Sequence, residues 1–350
     1  MAIRAINTAG TAPTNIIVNG VNIGDATAGY TTLAAAITAG SNGDIFVVTD
    51  AINAALSGLQ YTLSLLNTRI TCADNVRDTT GRYNTSKAHV AHTHAIIYSG
   101  ASGTSVFENL GRSAAGSYSF DNTGAGAIVI SRTKGKVVTN FPYILGRSST
   151  SIKCDHNMVE LASGTTTNAC YIWNFSSGDR NVKCFNDMVV ATATTTTPSH
   201  CFRGNSVTQR VDVVNCTAVK ATGANTPSTY YTNCLAHASY PAGYNRSEGS
   251  DAPGTTPYNS VVGADILKDP AIASLDMHEV SRASLETYPG ADVSTEVYAA
   301  DLDADNESKG DEWFSSADWI AATVAAVASA SSIGFFLVSP FGMLFGLQDE

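Results

Sequence analysis

The chain has 350 residues, of which only 14% are charged and 44% are hydrophobic, so its composition excludes a disordered polymer. Its net charge of −10 is uneven: residues 1–264 carry 14 acidic and 17 basic side chains (+3), residues 265–318 carry 14 and 3 (−11), and Asp349 and Glu350 add −2. An acidic band without clustered Lys and Arg argues against general nucleic-acid binding.

Residues 1–24 read as an irregular arm with one short strand, Ile16-Ile17-Val18. No continuous apolar run marks a secretory signal, so synthesis and folding are expected in a cytoplasm. Thr31 or Thr32 then suits the cap of a short helix with Leu33, Ala36 and Ile37 on one face. Gly43-Asp44 reads as a turn, and Ile45 to Val48 as a buried strand. Further short strands are expected at Tyr61–Leu66, Arg69–Cys72, Ala95–Tyr98, Ala127–Ile130, Lys136–Val138 and Pro142–Leu145. The polar loops 74–87 and 100–117 between them are where binding residues would sit on a rigid scaffold.

Residues 151–236 repeat. Ile152-Lys153-Cys154, Val182-Lys183-Cys184 and Val214-Asn215-Cys216 form one series, and Cys170, Cys201 and Cys234 form a second. The steps are 30 and 32 residues in the first (154 to 184 to 216), and 31 and 33 in the second (170 to 201 to 234). A near-constant period of this size marks a solenoid, and the short β-rich runs make it a coil of stacked strands. Each cysteine series is expected to form an inward row, because cysteine is small, apolar and often buried. A disulfide framework is the rival reading. It is disfavoured by the odd count of seven cysteines and by a strand spacing of about 4.8 Å, wider than the ~3.8 Å Cβ separation of a disulfide.

Residues 237–264 look like a loop-rich exit, and residues 265–314 like an acidic closing segment with Asp269-Pro270, Gly290-Ala291-Asp292, Asp301-Leu302-Asp303 and Gly310-Asp311-Glu312. Together with the helix, Gly-Asp and apolar strand near the N-terminus, this pattern resembles pectin-lyase-like right-handed parallel β-helices. Their first helix covers the open end of the coil. The cysteine-bearing turns, including Asn215-Cys216 and Asn233-Cys234, make the chain similar to β-helix proteins that tailed phages encode beside their capsid genes. The resemblance covers roughly residues 15–312. It implies an all-β, single-stranded right-handed parallel β-helix, divided into residues 1–43 (arm and capping helix), 44–264 (coil), 265–314 (closing segment) and 315–350 (tail).

The tail differs in kind. An Ala-rich helix is expected from Trp319 to about Ser332, followed by an uncharged stretch to Phe345. It is long enough to span a bilayer, but Pro340 interrupts it and no Lys or Arg flanks it. Burial against protein is the better reading, with Trp319, Ile320, Phe335, Phe336, Leu337, Phe341, Leu344 and Phe345 as assembly residues. A homo-oligomer or a particle surface would supply their partner.

Candidate chemistry is sparse. His89, His92 and His94 have metal-ligand character, but no acid or thiol lies nearby in sequence. Asp301, Asp303, Asp305 and Glu312 hold positions 1, 3, 5 and 12 of a calcium loop, with Asn306 where glycine is usual. The closing segment explains most of these residues without Ca²⁺, so no cofactor is expected. The acids of the repeat, Asp155, Glu160, Asp179, Asp187 and Asp212, do not recur at one offset, so no catalytic dyad is expected. The expected function is a non-enzymatic virion protein that decorates or cements a phage capsid. The alternatives are a polysaccharide-binding or polysaccharide-cleaving tailspike that meets host-surface carbohydrate, and a membrane-tethered adhesin.

Overall fold

The computed structural model describes residues 1–51, 54–55, 61–91, 96–114, 119–139, 141–147, 151–163, 169–175, 179–279, 290–291, 293, 295–296 and 298. These residues form a parallel β-solenoid of about eight turns. Each complete turn contributes one strand to each of three sheets. The first sheet has ten strands and runs from Ala28–Tyr30 and Ile3–Ile6 through Ile152–Asp155, Val182–Phe185 and Val211–Val214 to Cys234–Ala236. The second runs from Tyr61–Leu63 to Tyr231–Thr232, and the third from Gly111–Ala114 to Tyr258–Asn259, with seven strands each.

The strands are short because each side of the coil is narrow. They are apolar because alternate side chains fill the interior. In Ile152–Asp155, Ile152 and Cys154 are buried in the main core while Lys153 points outward. An interior aromatic column runs from Phe107 through Phe120, Tyr143, Tyr171 and Phe202 to Tyr231, with successive ring centroids 5.0 to 6.3 Å apart. Thr32 caps the helix Leu33–Thr38 by accepting from Ala35 N, and Leu33, Ala36 and Ile37 join the same core.

The structure corrects the arm. Ile3–Ile6 is not outside the coil but lies hydrogen-bonded between Ala28–Tyr30 and Ile45–Val48. Four residues with Arg4 among them gave too weak a pattern to separate from the Thr, Ala and Gly around them. Ile16–Val18 pairs antiparallel with Val21–Gly24 as a small hairpin.

The period is also less regular than the cysteines suggest. Register offsets are 30 and 29 residues from Ile152 to Val182 to Val211. They are 24 from Ile128 to Ile152 and 23 from Val211 to Cys234. The loops absorb the difference and the strands do not.

What stays constant is the corner between the first and third sheets. Asn109, Arg132, His156, Asn186 and Asn215 stand there on successive turns, all with φ between 51° and 57°. Asparagine tolerates this left-handed region better than most residues. The later members bond to one another: Asn215 Nδ2 donates to Asn186 Oδ1 at 3.0 Å, and Asn186 Nδ2 lies 3.1 Å from His156 Nε2. Asn186→Ala should therefore lower the unfolding free energy by about 1–3 kcal/mol, combining left-handed strain with lost amide bonds. Asn186→Gly should cost less, because glycine keeps the backbone. Denaturant titration of the two variants checks this, and equal losses would place the whole cost in the amide.

Candidate functional site

The three outward faces of the coil are dressed differently. On the third sheet, Met158, Met188, Val190 and Val219 pack against Leu267, Leu275 and Met277 of the closing hairpin, in which Leu267–Asp269 pairs with Asp276–Glu279. Arg82, from the long loop after Cys72, crosses the same face and grips Glu160 with two bonds of 2.9 and 2.8 Å. Its Nη1 also donates to Ile272 O at 2.9 Å, and Met277 N donates to Gly81 O at 2.7 Å. Burial would raise the Glu160 carboxyl, but the Arg82 hydrogen bonds and the charges of Lys136 and Arg82 outweigh it and hold it low.

On the first sheet, the described residues between 290 and 298 lie along the corner row as a strap. Asn215 Nδ2 donates to Ala291 O at 2.8 Å, and Ala291 N donates to Asn215 Oδ1 at 2.9 Å, so the side-chain amide imitates a neighbouring strand. Val293 is buried with Phe185 and Val214. Lys153 Nζ donates to Glu296 O at 2.6 Å, and Tyr298 N donates to Asp155 Oδ2. The N-terminal hairpin meets the other end of this row, where Asn109 Nδ2 donates to Asn19 Oδ1 at 2.6 Å.

Among the described residues, neither cover reaches the second sheet, which is the candidate binding face. Its outward register is Ile97, Asp121, Leu145, Trp173, Arg203 and Thr232. The Arg203 guanidinium lies 4.0 Å over the Trp173 ring, and Phe175 meets that ring edge-on at 4.8 Å. Phe175 and Phe141 are among the most exposed aromatic residues of the chain. Arg147 pairs with Asp121 at 3.2 Å. His200 Nδ1 lies 2.7 Å from both Thr229 Oγ1 and Thr232 Oγ1. Burial and the neighbouring Arg203 push His200 down to about 4, so it is neutral near pH 7. This face can stack flat groups and present a cation and hydroxyls beside them.

The interior holds a second cluster. Thr133, Asn157, Asp187, Cys216 and Asn245 follow the corner residues on successive turns and point inward. Asn157 donates its backbone N–H (2.8 Å) and Nδ2 (3.1 Å) to Asp187 Oδ1, while Tyr171 Oη lies 2.9 Å from Oδ2. One ligand atom from each of Cys154, Cys184 and Asp187 lies within 4.8 Å of the others, so these three residues could hold a metal ion.

The sequence-derived site residues fall as follows. Cys154 pairs with Cys184, but the next residue in that row is Val213, not Cys216. Cys216 lies in the polar row instead, reached because its turn is one residue shorter. The second series is not a row: the register sets Tyr171 beside Cys201 and Tyr230, and Cys170 beside His200, while Cys234 sits opposite Val211 in the first sheet. All seven cysteines are free; Cys234 is half-buried and the others are buried.

His89 bridges to Gly111, with its Nδ1 2.9 Å from Lys87 O. His92 and His94, the calcium candidates Asp301, Asp303, Asp305 and Glu312, and the tail residues Trp319, Ile320, Phe335, Phe336, Leu337, Phe341, Leu344 and Phe345 lie outside the described residues. Of the acids in the repeat, Asp179 binds Arg210 at 2.6 Å, and Asp212 lies 3.2 Å from Arg180. Sequence reasoning missed the corner and polar rows. Their signal is present as His156-Asn157, Asn186-Asp187 and Asn215-Cys216, each directly before a third-sheet strand.

No protein-family model matches the chain, and neither does a curated protein or a solved structure.

Burial is the main cause that pushes the Asp187 carboxyl up to about 8, against the lowering effect of its Asn157 and Tyr171 hydrogen bonds. A carboxyl raised in the folded state stabilises it most fully below the unfolded value and loses that contribution as pH rises through the folded one. Metal-free protein should therefore lose stability, on the order of 5 kcal/mol at most, between pH 4 and pH 8. Chelator-treated Asp187→Asn protein should show a flatter profile over that window in denaturant titrations.

Proposed function

We propose that this chain is a non-catalytic structural protein of a virus particle, placed on a capsid as a decorating or cementing protein. In this reading the solenoid is a right-handed pectin-lyase-like coil, helix Leu33–Thr38 covers its first turn, and a helical apolar tail mediates assembly. The observation that carries the reading is bracing between distant turns. Arg82 ties an early loop to Glu160 and to Ile272 O, and Asn215 and Lys153 hold the returning strap. Such ties stiffen a stack whose turns otherwise touch only their neighbours, and a stiff rod suits a load-bearing place on a shell. The acids of the repeat serve the same end, with Glu160, Asp179 and Asp212 in ion pairs and Asp187 inside. The apolar residues of the tail would each be worth about 1.5–3 kcal/mol on burial, which favours a protein partner or a second copy of the chain. Among the described residues no helix is long and apolar enough to cross a membrane.

The full chain should co-sediment with assembled particles. A chain truncated after Asp318 should stay folded but lose particle binding or self-association. Unaltered assembly of the truncated chain would refute the role given to the tail, and partition of the full chain into liposomes would favour the anchored adhesin.

One observation favours the tailspike reading: the Trp173, Phe175 and Arg203 cluster on the open face is suited to sugar rings. Under the structural reading, incubation with host polysaccharides releases no reducing or unsaturated ends. Cleavage that is lost on changing one repeat acid would overturn it.

A further inference from the structure

We propose that Cys154, Cys184 and Asp187 form a buried site for a thiophilic divalent cation, zinc or a close chemical relative, taken up as the chain folds. This site is separate from the faces described above and does not depend on the virion reading.

The first ground is geometry. Cys154 and Cys184 are direct partners in adjacent parallel strands, so their side chains leave the sheet in the same direction. The left-handed corner at Asn186 turns the chain so that Asp187, three residues after Cys184, also points inward. Two sulfurs and a carboxylate oxygen thereby converge within 4.8 Å. A tetrahedral zinc with Zn–S bonds of about 2.3 Å places two sulfurs about 3.8 Å apart, so contraction by about 1 Å closes the site. Tyr171 Oη, 2.9 Å from Asp187 Oδ2, offers a fourth oxygen at the same place.

The second ground is the support around the carboxylate. Asn157 directs two N–H groups at Oδ1, fixing the orientation of Asp187 and leaving Oδ2 on the side shared with Tyr171. Hydrogen bonds that orient a ligand in this way are the usual outer support of metal sites. Asn157 is itself anchored through Nδ2 to Ile130 O at 2.9 Å, and its Oδ1 accepts from Thr133 N and Oγ1. The residues that orient the carboxylate therefore span three turns.

The third ground is ligand type. Two thiols with one carboxylate suit zinc-like ions rather than calcium or magnesium. Binding exchanges the two thiol protons and the carboxyl proton for one M²⁺, leaving a single negative charge for the Asn157 N–H donors and Tyr171 to stabilise. Cys154, Cys184 and Asp187 are all fully buried, so loading belongs to folding and exchange from the native state is slow.

The full chain, expressed in ordinary medium and purified without chelator, should carry about one zinc-like ion per chain by elemental mass spectrometry. Refolded under reducing conditions with Co²⁺ or Cd²⁺, it should retain about one ion through gel filtration and show a thiolate-to-metal charge-transfer band. Cys184→Ser should lose the band, whereas Cys170→Ser, at another buried thiol, should keep it. If Cys184→Ser fails to fold, Asp187→Asn serves instead, with retention of Cd²⁺ expected to fall at least about tenfold. Fewer than about 0.1 ion per chain in both the native and the refolded protein would overturn the site, as would a band that survives in Cys154→Ser and Cys184→Ser alike.

Discussion

Parallel stacking at one strand spacing imposes its terms on every other feature of this molecule. Strands about 4.8 Å apart bond along their whole length only if each turn enters and leaves them at the same place. The loops are free to vary, and the offset between paired strands ranges from 23 to 30 residues in the middle of the coil. The corner between the first and third sheets is not free. It is a sharp bend between adjoining strands, so every turn must adopt the same left-handed residue there. Asparagine fills three of the five corner positions, while Arg132 and His156 accept the strain. Because the corner repeats, its side chains stack and bond to one another, and the row becomes a surface that other segments can recognise. The hairpin at Asn19 and the strap at Ala291 both attach to it.

That constraint also explains the polar interior. A residue directly after a left-handed corner points into the coil whatever its chemistry. On successive turns this position holds Thr133, Asn157, Asp187, Cys216 and Asn245. A buried polar group is costly unless bonded, and here each turn supplies the partner of the next: Thr133 to Asn157, Asn157 to Asp187, and Cys216 N to Asn245 Oδ1. Tyr171 joins this row to the aromatic column across the interior.

How far the sequence could be read follows from which signals were local. The parallel coil, the strand at Ile45–Val48, the Thr32-capped helix and the Cys154–Cys184 pairing were legible, because each rests on a short run of matching residues. The remaining cysteine assignments failed because a small apolar thiol suits any inward position, so cysteine reports burial and not register. Cys216 and Cys184 are both fully buried yet belong to different rows. The residue that does report register is the one whose backbone is constrained, and the Asn186 and Asn215 dipeptides carried that information unread. The strap was illegible for another reason. Ala291 and Val293 contribute little pattern of their own, and their place depends on an amide more than seventy positions earlier in the chain.

The unequal dressing of the three faces then bears on what the coil does. The third sheet exposes methionine and valine that the closing hairpin covers, and the first exposes Phe185 and Val214 that the strap covers. Both are apolar surfaces that the chain satisfies internally. The second sheet is built differently: its outward row alternates apolar and charged groups, with Arg147 on Asp121 and Arg203 on Trp173. A guanidinium stacked on an indole shields the ring from water while its N–H edge still faces away from the ring plane's apolar area. Such a face tolerates solvent without a cover and still offers flat apolar area to a partner. Covering two faces therefore serves the coil, and leaving the third uncovered by those segments makes it the natural place for contact with another molecule.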